Sequence, residues 1–125
     1  MNFRNLKMIG HVIFGRGAFN QLDEILQPNR KAAAPMVFLV DHYFEGKDLA
    51  KRIPAKGRDK IIFVDVTNEP KTTYVDSLAN QLKAEFGIVS GVVGIGGGSA
   101  MDLAKAVSLM MNNPGSSADY QGWDL

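Results

Sequence analysis

Residues 91–105 read Gly91-Val92-Val93-Gly94-Ile95-Gly96-Gly97-Gly98-Ser99-Ala100-Met101-Asp102-Leu103-Ala104-Lys105. The first five are small or β-branched with no polar alternation. That is the pattern of a strand covered on both faces, as in a parallel sheet. From Ser99 the apolar residues recur at helical spacing, which predicts an amphipathic helix over 99–111, closed by Pro114-Gly115. Between strand and helix stand three consecutive glycines. Glycine lacks Cβ, so the backbone can turn sharply and a ligand can come close. A helix start leaves about four amides without intrahelical partners and adds the positive end of a dipole. Together these make a ready phosphate or pyrophosphate site. The plainer alternative is a tight turn with Ser99 as an ordinary N-cap.

Working outward, glycine and proline cut the chain into alternating units. Residues 11–14 form a short apolar run ending at Gly15, a predicted strand. Ala18, Leu22, Ile25 and Leu26 follow at helical spacing, with Pro28 as the stop. Residues 36–40, Met-Val-Phe-Leu-Val, are a second buried strand, and Asp41 follows directly. Residues 46–52 predict a short helix broken by Pro54, and residues 60–66 a third strand before a loop over 67–70. Val75, Leu78, Ala79, Leu82 and Phe86 make one apolar helical stripe. Thr73 with Asp76 resembles a capping box, and Gly87 can end the helix in a left-handed conformation.

This alternation predicts an α/β fold: a Rossmann-like parallel sheet with helices on both faces and right-handed crossovers. Ligands of such sheets bind outside the C-terminal strand ends. Two places are thereby selected, the loop at Asp41 and the loop 96–99. A carboxylate at Asp41 can accept both ribose hydroxyls of a dinucleotide and repel an added 2′-phosphate. The competing role is a turn cap, common for Asp. Two standard templates do not fit the glycine loop. A P-loop needs Lys before Ser, where Gly98 stands. The usual dinucleotide fingerprint needs a third glycine at Ser99 and an acid downstream, whereas Asp41 lies upstream.

Gly96 to Lys105, GGGSxxDxAK, resembles the cofactor-binding motif of the iron-containing (group III) alcohol dehydrogenases. Phe14-Gly15-Arg16-Gly17, Val40-Asp41, Asn68-Glu69-Pro70-Lys71-Thr72, Asn113-Pro114 and Tyr120 also resemble that family in order and place. The second position of the 68–72 loop departs from the family's pattern. The resemblance covers essentially the whole chain. It implies NAD(H) bound by a motif that opens at Gly96, with the pyrophosphate on Gly97, Gly98 and Ser99, and Asp41 at the adenosine ribose. Asp102 would lie near the nicotinamide carboxamide, and Lys105 one turn later; a plain solvated lysine is the other reading of Lys105.

The resemblance also implies a divalent metal, iron or zinc, held by a helical second domain. Residues 1–125 would then be an incomplete N-terminal dinucleotide-binding domain, with the metal domain and the catalytic residues outside this chain. His11 and His42 are the only histidines, and two at unrelated positions do not make a metal site. His11 reads as structural, and His42 as exposed, with an approach beside Asp41 to the adenosine end as its other reading. No turnover is expected from residues 1–125 alone. The cut sheet would leave an unpaired edge, which favours self-association.

The 125 residues carry fourteen basic and thirteen acidic side chains, a formal charge of +1, and no cysteine. Near neutrality gives no reason to expect a nucleic-acid or membrane partner. The absence of cysteine excludes disulfides and thiolate chemistry. No apolar run approaches a bilayer span, and the N-terminus lacks the apolar block of a signal peptide. These features predict a cytoplasmic protein; the resemblance implies that it acts on a small primary alcohol, diol or sugar hydroxyl, and a homo-oligomer is expected. Within the family, residues 68–70 and 120–124 are most similar to a branch that oxidises C8 of 3-deoxy-octulosonate for lipopolysaccharide biosynthesis. Two other readings stand beside this one. The chain could resemble a glycerol-1-phosphate dehydrogenase or dehydroquinate synthase, or be a stand-alone nucleotide-binding module without catalysis.

Overall fold

The structure, a computed structural model, describes residues 18–31, 34–67 and 71–112. Three strands form a parallel sheet: β1 (Met36–Asp41), β2 (Lys60–Val64) and β3 (Gly91–Ile95), in the order β2-β1-β3. The continuous apolar run of β1 takes the centre, where all of residues 36–40 are buried. Their alternation divides the core in two. Val37 and Leu39 face α3 (Thr72–Phe86) and α4 (Gly98–Asn112), against Val75, Leu78, Leu82, Leu103 and Val107. Met36, Phe38 and Val40 face the other side, against Leu22 and Leu26 of α1 (Leu22–Leu26), Phe44 and Ile53. Burying each such side chain contributes about 1.5–3 kcal/mol. Both faces are covered, as a parallel sheet requires.

The order has a consequence for ligands. After β1 the chain passes through a 3-10 turn (His42–Phe44) and α2 (Asp48–Lys51) to β2 on one side. It then crosses through α3 to β3 on the other side of β1. The gap between the C-terminal ends of β1 and β3 is therefore where strand order reverses, the preferred ligand crevice of open α/β sheets.

The opposite end of the sheet is tied by polar side chains. Asp59, just before β2, accepts from the Met36 amide on Oδ1 (2.9 Å) and from the Lys56 amide (2.9 Å) and Arg30 (2.7 Å) on Oδ2. Arg30 also donates to the Pro54 carbonyl (3.0 Å). Ser90, just before β3, accepts from the Lys31 amide (2.9 Å), and its hydroxyl donates to the Ala34 carbonyl (2.6 Å).

Several local expectations shift. β2 ends at Val64 rather than 66, because Asp65 accepts from the Thr67 amide (3.0 Å) and turns the chain. The first helical segment does not stop at Pro28. A 3-10 turn (Gln27–Asn29) carries it on, with Pro28 at a position where no amide is needed. The short helix of 46–52 narrows to Asp48–Lys51. Thr73 and Asp76 do not form the capping box. The helix starts at Thr72 and its N-cap is Lys71, so Thr73 already lies inside the first turn. Gly87 ends α3 at φ 73° as expected for glycine, but ψ is −70°. That is a γ-turn, closed by the Ile88 amide on the Phe86 carbonyl (2.8 Å), not the left-handed helical cap. The predicted strand 11–14 with His11, the Phe14–Gly17 motif, Asn68-Glu69-Pro70, Asn113, the Pro114-Gly115 stop and Tyr120 lie outside the described residues.

Candidate dinucleotide site

The three glycines of the loop serve different ends. Gly96 adopts φ 151°, and a Cβ there would sit 2.8 Å from Ala100 Cβ and 2.9 Å from Asp41 Cβ. The fold itself demands glycine at that point. Gly94 is likewise required, since its Cβ would meet Ala104 Cβ at 2.7 Å and the Ala100 carbonyl at 3.0 Å. Its absence lets α4 lie directly on β3. Gly97 and Gly98 differ. Both are exposed, neither has positive φ, and a Cβ on either would meet nothing within 4 Å. No packing inside the described residues calls for glycine at these two positions. Glycine at both leaves the backbone open to close approach by a group outside the protein.

The helix start fits such a group. The Met101 amide donates to the Gly97 carbonyl (3.1 Å). The amides of Gly98, Ser99 and Ala100 precede that first bond, as helix geometry dictates. Ala100 is buried, Ser99 half-buried, and the loop is open to solvent at Gly97 and Gly98. The predicted helix over 99–111 starts one residue earlier, at Gly98. Beyond the first turn, Met101, Asp102 and Lys105 share the exposed side of α4, away from buried Leu103, Ala104 and Val107.

Asp41 stands against this loop. In register it is paired with Val64 on the β2 side, while Val40 pairs with Ile95. That places Asp41 beside Gly96, with Oδ2 3.7 Å from where a Gly96 Cβ would be. The capping role weighed for Asp41 takes up one of its oxygens and leaves the other toward the glycine loop. Oδ1 accepts from the Tyr43 amide (3.0 Å) and caps the 3-10 turn. Oδ2 is the oxygen on the glycine-loop side. The structure thus brings Asp41 and Gly96 to Ser99 together at one crevice, while Asp102 and Lys105 lie farther along α4.

Sequence reasoning set His42 beside Asp41 but did not identify Asp65 as a third member of this group. His42 Nδ1 lies 3.2 Å from the Val64 carbonyl, 3.6 Å from Asp41 Oδ1 and 3.9 Å from Asp65 Oδ1. The side chain is half-exposed, as expected, yet it bridges the ends of β1 and β2. Asp65 has its carboxyl held below the ordinary range, chiefly by the Thr67 hydroxyl and then its amide, against a smaller opposing effect of burial. The rule that picked Asp41, an acid directly after a buried strand, would have picked Asp65 had β2 been ended at Val64.

A fold, a crevice and a glycine loop of this kind can be compared with known proteins. The family model for iron-containing alcohol dehydrogenases matches residues 10–125. The chain belongs to that family. It is 32% identical over 114 residues to an NAD-dependent methanol dehydrogenase of Bacillus methanolicus, covering 88% of this chain and 29% of the relative. A sulfoacetaldehyde reductase of Bilophila wadsworthia is 32% identical over 79 residues, 63% of this chain and 20% of the relative. In structure the chain is similar to the sulfoacetaldehyde reductase of Bifidobacterium kashiwanohense in complex with NAD+, with TM-score 0.66, 25% identity, and coverage of 89% of this chain and 29% of that one. The chain therefore spans less than a third of the length of these relatives. The Rossmann-like parallel fold agrees with that of an NAD-bound family member.

Among the described residues no group of three or more His, Asp or Glu side chains gathers that could hold a metal ion. No helix among them is long and apolar enough to cross a membrane.

Proposed function

We propose that this chain is the cofactor-binding part of an NAD-dependent, metal-dependent alcohol dehydrogenase. The observation that carries the reading is the meeting of Asp41 with Gly96 at the reversal of strand order, beside two glycines that no internal packing requires. The amides of Gly97, Gly98 and Ser99 donate to the pyrophosphate, aided by the helix dipole. Asp41 Oδ2 accepts the adenosine ribose hydroxyls, and its charge disfavours a 2′-phosphate. Asp102 lies near the nicotinamide carboxamide, one turn into α4, with Lys105 beyond it. The dinucleotide supplies hydride acceptance at its nicotinamide ring.

The family's metal, iron or zinc, finds no ligand set among the described residues. In this reading the metal belongs to a helical domain outside residues 1–125, as do the catalytic residues. The substrate is a primary alcohol or a sugar hydroxyl. Relatives named as a methanol dehydrogenase and a sulfoacetaldehyde reductase support an alcohol–aldehyde pair. The finer assignment is C8 of 3-deoxy-octulosonate, in lipopolysaccharide biosynthesis. It rests on the likeness at residues 68–70 and 120–124. The enzyme works as a cytoplasmic homo-oligomer.

The test takes the intact protein from its native source, loads it with iron or zinc, and follows NADH formation against primary alcohols, including 3-deoxy-octulosonate. NADH formation with at least one alcohol is expected. Dinucleotide binding without turnover on any alcohol would favour a binding module. Failure to bind any dinucleotide would sink the reading altogether.

A further inference from the structure

The ribose end of the crevice carries more charge than recognition of two hydroxyls requires. Asp41 closes β1 and Asp65 follows β2, and the His42 imidazole stands between them, with Nδ1 within 4 Å of an oxygen of each. The Val64 carbonyl at 3.2 Å fixes the ring at that nitrogen. Two further charged side chains lie on this stretch, the exposed Glu45 at the end of the turn and Lys47. The Lys47 ammonium donates to the Tyr43 carbonyl (2.9 Å) and lies 3.9 Å from the Tyr43 ring centre, so it is directed to that residue. Asp65 stays ionised through the weakly acidic range, because the Thr67 hydroxyl and amide hold its carboxyl low.

With a neutral ring the cluster of Asp41, His42 and Asp65 carries two negative charges; with a protonated ring it carries one. Histidine is the side chain whose charge changes between about pH 5 and pH 8. A ribose 2′-hydroxyl is neutral and scarcely senses that change. A 2′-phosphate carries close to two negative charges and senses it strongly.

We propose that His42 is a specificity-determining residue of the dinucleotide site, whose protonation sets how firmly the site rejects a 2′-phosphorylated cofactor. This rests on the assignment of Asp41 to the adenosine ribose. A neutral His42 leaves the two carboxylates unopposed and the site selects NAD. A protonated His42 offsets Asp41 and admits NADP as well. The residue acts through charge on a group beside it and takes no part in hydride transfer.

The experiment measures NADH and NADPH dissociation constants of the intact protein by fluorescence titration, from about pH 8 to about pH 5.5. The wild type, His42→Gln and His42→Arg are compared. The NADPH-to-NADH affinity ratio of the wild type is expected to rise about tenfold as pH falls. Part of that rise belongs to the ligand, because a phosphate monoester takes up its own second proton near pH ~6. His42→Gln retains only that part, so its rise is smaller by about threefold. Gln keeps a side-chain N–H for the Val64 carbonyl. His42→Arg carries a fixed charge and should show a raised ratio already at the alkaline end. Ratios that superimpose for all three proteins at every pH would overturn the role of His42 while leaving the dinucleotide site intact. A wild type that binds neither cofactor would overturn the dinucleotide reading, and His42 with it.

Discussion

The two ends of the sheet treat the same residue types in opposite ways. At the N-terminal end, Asp59 accepts three donors from Arg30, Met36 and Lys56, and its side chain is 4% exposed. Ser90 there both accepts and donates. At the C-terminal end, Asp41 uses one oxygen for a turn and turns the other to an open glycine loop. Its side chain is 24% exposed. One carboxylate is saturated by the protein, and the other is left partly unspent. The difference separates the end that holds the fold from the end left open, and the open end is where open α/β sheets generally place their ligands.

The comparison breaks most clearly at Asp59. Removing it leaves the Arg30 guanidinium, the first amide of β1 and the Lys56 amide of the preceding turn without this acceptor. Losing one partner of such an ion pair costs about 3 kcal/mol. Asp59→Ala should lower urea stability by that amount while NADH affinity of the folded protein stays unchanged; a variant as stable as the wild type would remove the knot from the account. The pH dependence has a definite sign. Burial alone would raise the Asp59 carboxyl, but the Lys56 and Met36 amides and Arg30 more than offset it, so its folded pKa lies below the unfolded value. Its contribution is present above the unfolded carboxylate range near pH ~4 and is lost as pH falls through the lower folded value. Wild type should therefore lose stability on acidification more steeply than Asp59→Ala, as read from denaturation midpoints.

Glycine substitutions sharpen the same contrast within a single loop. Gly96→Ala must bear positive φ and two close contacts, and should cost about 2 kcal/mol of stability. Gly97→Ala meets open space and ordinary backbone, so its stability should stay within about 0.5 kcal/mol of wild type. Its NADH affinity should fall about tenfold, near 1.4 kcal/mol, because the added methyl stands where a phosphate would rest. If Gly97→Ala binds NADH normally, the open glycines serve some other purpose.

Much of this was legible in the residues. The run 36–40 announced a strand covered on both faces because every side chain in it is apolar; its central place comes from the strand order. The glycines of 96–98 announced a strand-to-helix turn, and Asp41 stood where a strand stops; Asp65 was hidden because the apolar pattern carried its strand on to Val66. The N-terminal knot was not legible. Arg30, Asp59 and Ser90 are scattered polar residues with no periodicity, and only the parallel register brings Met36 beside Asp59. The capping box failed for a local reason. A Thr with an acid three residues on satisfies the spacing, but the cap must also have extended backbone, and that position fell to Lys71. The distinct tasks of the three glycines could not be read from three identical letters. They depend on what Asp41 and Ala100 place nearby.

The smallest effect expected lies at Asp41, where capping and charge can be separated. Asn in its place keeps an oxygen for the Tyr43 amide, so the turn after β1 should survive. What is lost is the negative charge on the crevice side. With the turn preserved, stability of Asp41→Asn should match wild type within about 0.5 kcal/mol. NADH, which still finds an acceptor for its ribose, should weaken only slightly, while NADPH gains from the lost repulsion. The NADH-to-NADPH preference should then fall about fivefold at neutral pH. His42 would act on the carboxylate that this variant lacks, so the pH dependence of the preference should shrink with it. An unchanged preference in Asp41→Asn would mean that the carboxylate serves only as a cap, and the C-terminal end of β1 would then resemble the saturated end of the sheet.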